Sequence, residues 1–290
     1  VLGVLYLDSR QLSRPISKTE RQIMRLLALE AASVVENARL FIAARAKEHL
    51  DQELAIARAI QQGLLPRGPK QYDFFQMACL NIPCSAVGGD YYDLIELPER
   101  RFVFVIADVS GKGISAALLS ASLQGALAAG LEWGQPMAAV ASHLNRYLYQ
   151  HTEISTFATF FCGVLSADGR FEYVNAGHCP ALWLTAERIE MLPAKNVPLG
   201  LLEQSEYAAT EIRLRPHDVL VLYTDGMVEA PNPLGELYGL ARLKKVLSAC
   251  RAGSSEQLVA AVFDDVREFT QNTLPGDDVS LLIARYEGNP

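Results

Sequence analysis

Two spacings of apolar residues divide the chain into a helical part and a mixed part. From Ile16 to Leu65 no proline occurs, and apolar residues recur at steps of three and four, which is the spacing of one α-helix face. The first run is Ile23, Leu27, Ala31, Val34, Ala38 and Phe41, and the second is Leu50, Leu54, Ala57 and Leu64. Ser17 and Glu20 have the spacing of a capping box, and Pro66 ends the pattern. The spacing therefore predicts one long helix.

A helix of this length cannot bury both apolar runs on itself. One interpretation is that it packs on the globular part of the chain, and the other is a coiled coil or bundle between two copies. We favour self-association, because the helix follows an incomplete domain and precedes a complete one. A homodimer through the N-terminal helices is therefore expected.

The segment before this helix reads as the end of another domain. Residues 1–8, VLGVLYLD, form an apolar and β-branched run typical of a strand, and this strand needs neighbours that the chain does not supply. The first residue is Val1 rather than methionine. We therefore expect the chain to be a fragment of a longer protein.

Strand and helix patterns alternate from about Arg67 to Pro290. Strands are predicted at Asp90–Leu97, Phe102–Asp108, Thr156–Leu165, Phe171–Asn175, Ala181–Thr185, Val219–Tyr223 and Val279–Arg285, and helices at Ile114–Ala129, Met137–Gln150, Leu237–Ala249 and Ser255–Gln271. Consecutive strands with helices in pairs favour an α+β layered sandwich over a regular βαβ repeat.

Composition narrows the classes of function only slightly. The 290 residues carry a formal net charge of -7, which argues against nucleic acid as the main partner, because neutralising phosphates requires a basic surface. The five cysteines lack the close paired spacing of structural zinc sites, and we interpret them as buried thiols of a cytoplasmic protein. No apolar run reaches about eighteen residues and no N-terminal signal pattern is recognised, so no membrane span is expected in this part of the protein.

Aspartates stand where several predicted strands meet glycine-containing turns. Asp90 begins the strand in VGGDYYD, Asp108 ends the strand FVFVIAD, and Asp225 follows the strand VLVLY. Asp277 and Asp278 precede the last strand in PGDDVSLLIA. For any one of them the alternative is an ordinary turn residue beside glycine. Strand ends share one edge of a sheet, so four such sites favour carboxylates that converge.

Converging carboxylates repel one another and lose hydration unless cations or protons compensate. A group of aspartates without histidine or cysteine suits hard cations, so Mg²⁺ or Mn²⁺ is expected. Two such ions about 4 Å apart bind a phosphoryl group and supply a hydroxide at neutral pH. That hydroxide attacks phosphorus in line, so no protein nucleophile is needed.

The same segments resemble a known family. Residues 67–290 are similar to the SpoIIE/RsbU-type branch of the metal-dependent (PPM) serine/threonine protein phosphatases. The matching segments are AIQQGLLP (59–66), VGGDYYDL (87–94), IADVSGKGISAALL (106–119), NAGHCP (175–180), LYTDGMVEA (222–230) and GDDVSLL (276–282). The resemblance implies a PPM-type α-β-β-α sandwich with a binuclear Mn²⁺ or Mg²⁺ site at one edge of its paired sheets.

The resemblance also assigns roles to particular residues. It implies metal ligation by the carboxylates of Asp90, Asp108 and Asp225 and by the backbone carbonyl of Val109. In the last motif the expected ligand is Asp277, and Asp278 is expected to support it. The chain has Val109 and Ser110 where the eukaryotic branch has a glycine-histidine pair. The usual candidate general acid is therefore missing, and protonation of the leaving group falls to water.

Two further residues have a functional and a structural interpretation. Lys112 lies in a glycine turn that leads into a helix, where it is either an anion contact or a solvated surface lysine, and we favour the surface lysine. His178 in NAGH is either a catalytic acid or a hydrogen-bonded structural residue, and we favour the structural role.

The N-terminal part resembles the end of a GAF sensory domain. VLYLDS (4–9) is similar to its last strand and LLALEAASVVENARLF (26–41) to its last helix. The expected organisation is a GAF-like fragment at 1–45, a helical linker at 46–66 and a PPM-type phosphatase domain at 67–290. The hypothesis is that pairing of the linkers switches the phosphatase.

The expected reaction is hydrolysis of phosphoserine or phosphothreonine on a protein. By analogy with the family, the substrate is an anti-sigma-factor antagonist, a small STAS-domain protein, in bacterial partner switching. One alternative is a catalytically silent regulatory module with the same fold. The other is a small-molecule phosphoesterase with the same chemistry. The sequence separates it poorly from a protein phosphatase, because substrate choice lies in loops such as Pro193 to Tyr207.

Overall fold

The computed structural model describes residues 3–4, 6, 15–152, 156–271, 273 and 276–288. By its internal contacts the chain divides into two units, residues 1–57 and 58–290, whereas the predicted linker and phosphatase domain meet at 66/67. Most of the predicted strand at 1–8 lies outside the described residues.

Helix α1 spans Lys18–Leu64, so the single long helix predicted from the apolar spacing is confirmed. The Ser17 N–H donates to Glu20 Oε2 at 2.7 Å, and the Glu20 N–H donates to Ser17 Oγ at 3.3 Å. These two bonds are the predicted capping box. No residue of α1, all of which is described, is buried within the chain.

The second unit contains two antiparallel sheets and five further helices among its described residues. The strands are β1 (Lys70–Gln71), β2 (Phe75–Ile82), β3 (Tyr91–Leu97), β4 (Arg101–Val109), β5 (Ala158–Ser166), β6 (Arg170–Ala176), β7 (Ala181–Leu184), β8 (Ile189–Leu192), β9 (Thr210–Arg213), β10 (Val219–Tyr223) and β11 (Val279–Tyr286). The helices are α2 (Ile114–Glu132), α3 (Met137–His151), α4 (Asp225–Val228), α5 (Gly239–Ala249) and α6 (Ser255–Thr270).

Three hydrophobic cores separate four layers. One sheet has the strand order β3-β4-β5-β6-β9, and its core with α2 and α3 includes Val105, Leu123 and Leu144. The other sheet has the order β1-β2-β11-β10-β7-β8, and its core with α5 and α6 includes Leu243 and Val262. Aromatic residues such as Phe75, Phe104 and Phe161 fill the core between the sheets. This is the predicted α-β-β-α sandwich.

The strand order brings the predicted aspartates to one edge. Strand β11 lies between β2 and β10, and it pairs with β2 over eight positions from Val279↔Ile82 to Tyr286↔Phe75. The beginning of β11 therefore lies beside the end of β10, where Tyr223 pairs with Leu281. In the other sheet the beginning of β3 lies beside the end of β4.

The structure adds several elements that the sequence patterns did not predict: β1, β2, β8, β9 and the short α4. Strand β2 lacks regular alternation, and its pairing partner β11 lies about two hundred residues further along the chain. Helix α2 is long and apolar enough to cross a membrane by composition. Here Leu123, Leu127 and Leu131 of α2 are buried in the core against the sheet.

Candidate metal centre

Asp90 is the most deeply buried of the candidate ligands. It directly precedes β3, only 3% of its surface is exposed, and its Oδ2 accepts a hydrogen bond of 2.8 Å from Thr224 Oγ1. Burial raises the pKa of this carboxyl well above its usual range, and repulsion from Asp108 and Asp278 adds to the rise. A buried carboxylate in this setting needs a nearby cation in order to ionise.

Asp108 lies at the end of β4 and is surrounded by the other candidates. Burial raises its pKa from 3.8 to about 7, with further contributions from the charges of Asp225, Asp277 and Asp278. Asp225 is the first residue of α4 and follows Thr224 directly. The structure thus brings together carboxylates from β4, α4 and the segment that enters β11.

Asp278 holds the loop that carries Asp90. Its Oδ1 accepts from the Cys84 N–H at 2.8 Å, and its Oδ2 accepts from the Gly89 N–H at 2.7 Å. A Cβ atom on Gly88 would lie 2.4 Å from Asp278 Oδ2, so only glycine fits there. Asp278 is 7% exposed, and both of its carboxylate oxygens are used to hold this loop.

The backbone carbonyl of Val109 faces the same loop. A Cβ atom on Gly89 would lie 2.8 Å from Val109 O and 3.6 Å from Asp108 Oδ1. A side chain at this position would therefore cover the Val109 oxygen, whereas it would make only an ordinary contact with Asp108 Oδ1. The Val109 oxygen and the carboxylates form an all-oxygen donor set, which fits Mg²⁺ or Mn²⁺.

Asp277 is the exposed member of the group. Its Oδ1 accepts from the Asp278 N–H at 2.9 Å, and its Oδ2 lies 3.1 Å from Lys112 Nζ. Lys112 Nζ also donates to Gly276 O at 2.6 Å. Lys112 is thus exposed, as the surface interpretation expected, but its ammonium group is directed at a candidate ligand.

His178 is enclosed beneath the centre. Its Nε2 lies 3.1 Å from the Tyr223 carbonyl, which only accepts, so Nε2 carries the proton and Nδ1 accepts from Thr159 Oγ1 at 2.7 Å. Burial lowers the pKa of His178 to about 4. The imidazole of His178 is thus 4% exposed, and both of its nitrogens are hydrogen-bonded within the fold.

Several residues of the centre carry no distinctive pattern in the sequence. Thr224 bonds Asp90, and its Oγ1 also accepts from the Ser280 N–H at 2.9 Å. Cys84 offers a thiol that lies with oxygens of Asp277 and Asp278 within 4.8 Å of one another. The only signal for Thr224 is its place before Asp225, and Cys84 becomes a neighbour only through the pairing of β2 with β11.

The sequence of this chain is similar to that of known proteins. The family model described as "Stage II sporulation protein E (SpoIIE)" matches residues 98–287. The phosphoserine phosphatase RsbU of Bacillus subtilis is 28% identical over 242 residues, which cover 82% of this chain and 71% of RsbU. The chain spans only 41% and 47% of the length of two other relatives, which are longer proteins.

Solved structures share the fold. The SiaA-PP2C domain of Pseudomonas aeruginosa is 19% identical with a TM-score of 0.73, and the match covers 83% of this chain and 98% of that domain. RsbX, whose crystal structure is in complex with magnesium, is 14% identical with a TM-score of 0.58, over 75% of this chain and 98% of RsbX.

Proposed function

Since this chain belongs to the SpoIIE family of protein serine/threonine phosphatases, we propose that it hydrolyses phosphoserine or phosphothreonine on an anti-sigma-factor antagonist, a small STAS-domain protein. The similarity to RsbU supports a phosphoprotein substrate in partner switching. The observation that carries the catalytic part is the charge repulsion of Asp108 with Asp90, Asp225 and Asp277 at one edge of the sandwich.

Asp90, Asp108, Asp225, Asp277 and the Val109 carbonyl would hold two Mn²⁺ or Mg²⁺ ions. When bound, the ions supply Lewis acidity and an activated water. The protein orients these oxygens through Thr224, which bonds Asp90, and through Asp278, which holds the loop before it.

We propose that water protonates the leaving oxygen, because Ser110 and His178 are both engaged in other hydrogen bonds. The Ser110 hydroxyl accepts from the Phe157 N–H at 2.9 Å, and the Ser110 N–H donates to the Phe157 carbonyl at 2.9 Å. Ser110 is therefore engaged in holding the segment before β5. His178 is enclosed and neutral.

The test of the proposed function is Mn²⁺-dependent hydrolysis of a phosphothreonine peptide and of a generic aryl phosphate. Asp108→Asn and Asp225→Asn should each lower kcat/KM by roughly a hundredfold or more, because metal ions supply several kcal/mol of transition-state stabilisation. Asp264→Asn, an exposed carboxylate on α6, is the control and should retain activity. Retained activity in both centre variants would overturn the assignment, and a preference for the aryl phosphate would indicate a small-molecule enzyme.

We further propose that the end of α1 regulates the centre. Gln61 Nε2 donates to the Gly88 carbonyl at 2.7 Å, and Gln61 Oε1 accepts from the Gly88 N–H at 3.1 Å. Gln124 Nε2 on α2 donates to Leu64 O and to Asp93 Oδ2, both at 3.1 Å. The helix end thus bonds the loop before Asp90 and the helix after Asp108. A GAF-like sensor and a homodimer of α1 would act through these bonds.

Gln61→Ala tests this proposal. Removal of two hydrogen bonds worth about 1 kcal/mol each leaves Gly88 unrestrained. We expect a several-fold loss of kcat/KM and of Mn²⁺ affinity. Gln62→Ala removes an exposed neighbour and should change neither. Equal values for both variants would show that α1 does not act on the centre through Gln61.

A further inference from the structure

Lys112 is held beside Asp277, one of the candidate ligands of the centre. It stands between Gly111 and Gly113, whose φ angles of 100° and 75° lie in the left-handed region that favours glycine. This backbone sends the side chain from the turn after β4 to the segment before β11. There Nζ donates to Gly276 O at 2.6 Å and lies 3.1 Å from Asp277 Oδ2.

The ammonium group takes an oxygen that a divalent cation would use. Asp277 Oδ1 accepts from the Asp278 N–H and so has less electron density to offer a cation than Oδ2, which is the oxygen that Lys112 contacts. The positive charge of Lys112 offsets part of the repulsion that Asp225, Asp277 and Asp278 exert on Asp108. A lysine in this position relieves like-charge repulsion when no metal is bound.

We propose that Lys112 is an internal counter-cation of the metal-free centre, which neutralises Asp277 and gives up its Oδ2 when a divalent ion binds. The inference rests on the proposed function, because it takes Asp277 as a metal ligand. Lys112 then competes with the metal, and its loss should tighten metal binding. A lysine that only contacts the substrate phosphoryl group would change KM and leave metal affinity unaltered.

The experiment measures Mn²⁺ affinity from the electron paramagnetic resonance signal of the free ion, which reports weak binding as well as strong. The proteins are the wild type, Lys112→Met, Lys112→Arg, Asp277→Asn and the double variant Lys112→Met/Asp277→Asn. Lys112→Met should bind Mn²⁺ roughly fivefold more tightly, which corresponds to the loss of one exposed ion pair. Lys112→Arg keeps the charge and should stay within about twofold of the wild type.

The double variant separates competition at Asp277 from a general effect of charge. If Lys112 acts through Asp277, Lys112→Met should leave the affinity of the Asp277→Asn protein unchanged. Unchanged or weaker Mn²⁺ binding by Lys112→Met, or equal tightening in both backgrounds, would overturn the inference. Such a result beside normal wild-type binding and hydrolysis would leave the proposed function standing. A wild type that binds no Mn²⁺ would overturn both.

Discussion

At the scale of single residues, Asp108 makes the metal-free protein sensitive to pH. Its pKa is about 7 in the folded protein against an ordinary value of 3.8. The folded state therefore holds the proton more tightly than the unfolded state, and its contribution to stability is complete below the ordinary value. That contribution is lost as the pH rises through the folded value.

We therefore expect the free energy of unfolding of EDTA-treated protein to fall as the pH rises from about 4 to about 7. Urea denaturation across this range measures it. Asp108→Asn removes one titrating group and should weaken the dependence, leaving the part that Asp90 contributes, and saturating Mn²⁺ should reverse it. A free energy of unfolding that rises with pH in the EDTA-treated wild type would contradict the expectation.

Gly226 is a residue of the centre that tolerates no side chain. A Cβ atom there would lie 2.1 Å from the backbone oxygen of Asp278, which cannot move without shifting the start of β11. Gly226→Ala should therefore abolish Mn²⁺ binding or destabilise the fold by several kcal/mol. Gly125→Ala, at an exposed helix position with open space, is the control and should stabilise by about 0.5–1 kcal/mol. Calorimetric Mn²⁺ titration and urea denaturation distinguish the outcomes, and unaltered binding by Gly226→Ala would contradict this packing.

The sequence singled out the candidate ligands and named Asp278 as a support, but it did not reveal which groups the supporting residues bond. Asp90, Asp108 and Asp225 stand beside strand patterns that are local in the chain. The bonds of Asp278 to Cys84 and Gly89 depend on the pairing of β2 with β11, which no local pattern reports. Lys112 has an ordinary sequence position, and its contact with Asp277 arises from the same long-range approach.

At the scale of elements, the turn between β3 and β4 carries avoidable strain. Glu99 and Arg100 have φ angles of 63° and 56°, a region in which asparagine and glycine are more stable than other residues. Glu99→Asn should raise the free energy of unfolding by about 0.5–1 kcal/mol, whereas Glu99→Gln removes the charge without relieving the strain. Urea denaturation of the two variants measures the difference. Equal stabilities would show that the charge of Glu99, and not its backbone, decides.

Elements with a strong local pattern were predicted well. Helix α1, helices α2 and α3, and strands β4 and β10 have bounds within a few residues of the predicted ones. The short strands β8 and β9 escaped prediction, because four residues at a sheet edge carry too little alternation to stand out from a loop.

At the scale of the whole molecule, α1 has exposed apolar residues, which favour pairing with a second helix. Val34 is 61% exposed and Val35 is 47% exposed, yet only Val34 belongs to the predicted run. We expect a dimer through α1, and Val34→Lys should shift it to the monomer because a buried charge opposes helix pairing. Val35→Lys is the matched control and should remain dimeric. Light scattering during size-exclusion chromatography decides, and a wild type that stays monomeric would refute pairing through α1.

The position of β11 has a consequence for synthesis of the protein. Strand β11 is made after both of its neighbours, yet it is inserted between β2 and β10, and the segment before it supplies Asp277 and Asp278. At bacterial elongation rates, the nascent chain carries Asp90 for roughly ten to forty seconds before Asp277 is made. During that time β2 and β10 are open edges and the phosphatase has no centre. We therefore expect a chain that terminates before β11 to lack phosphatase activity.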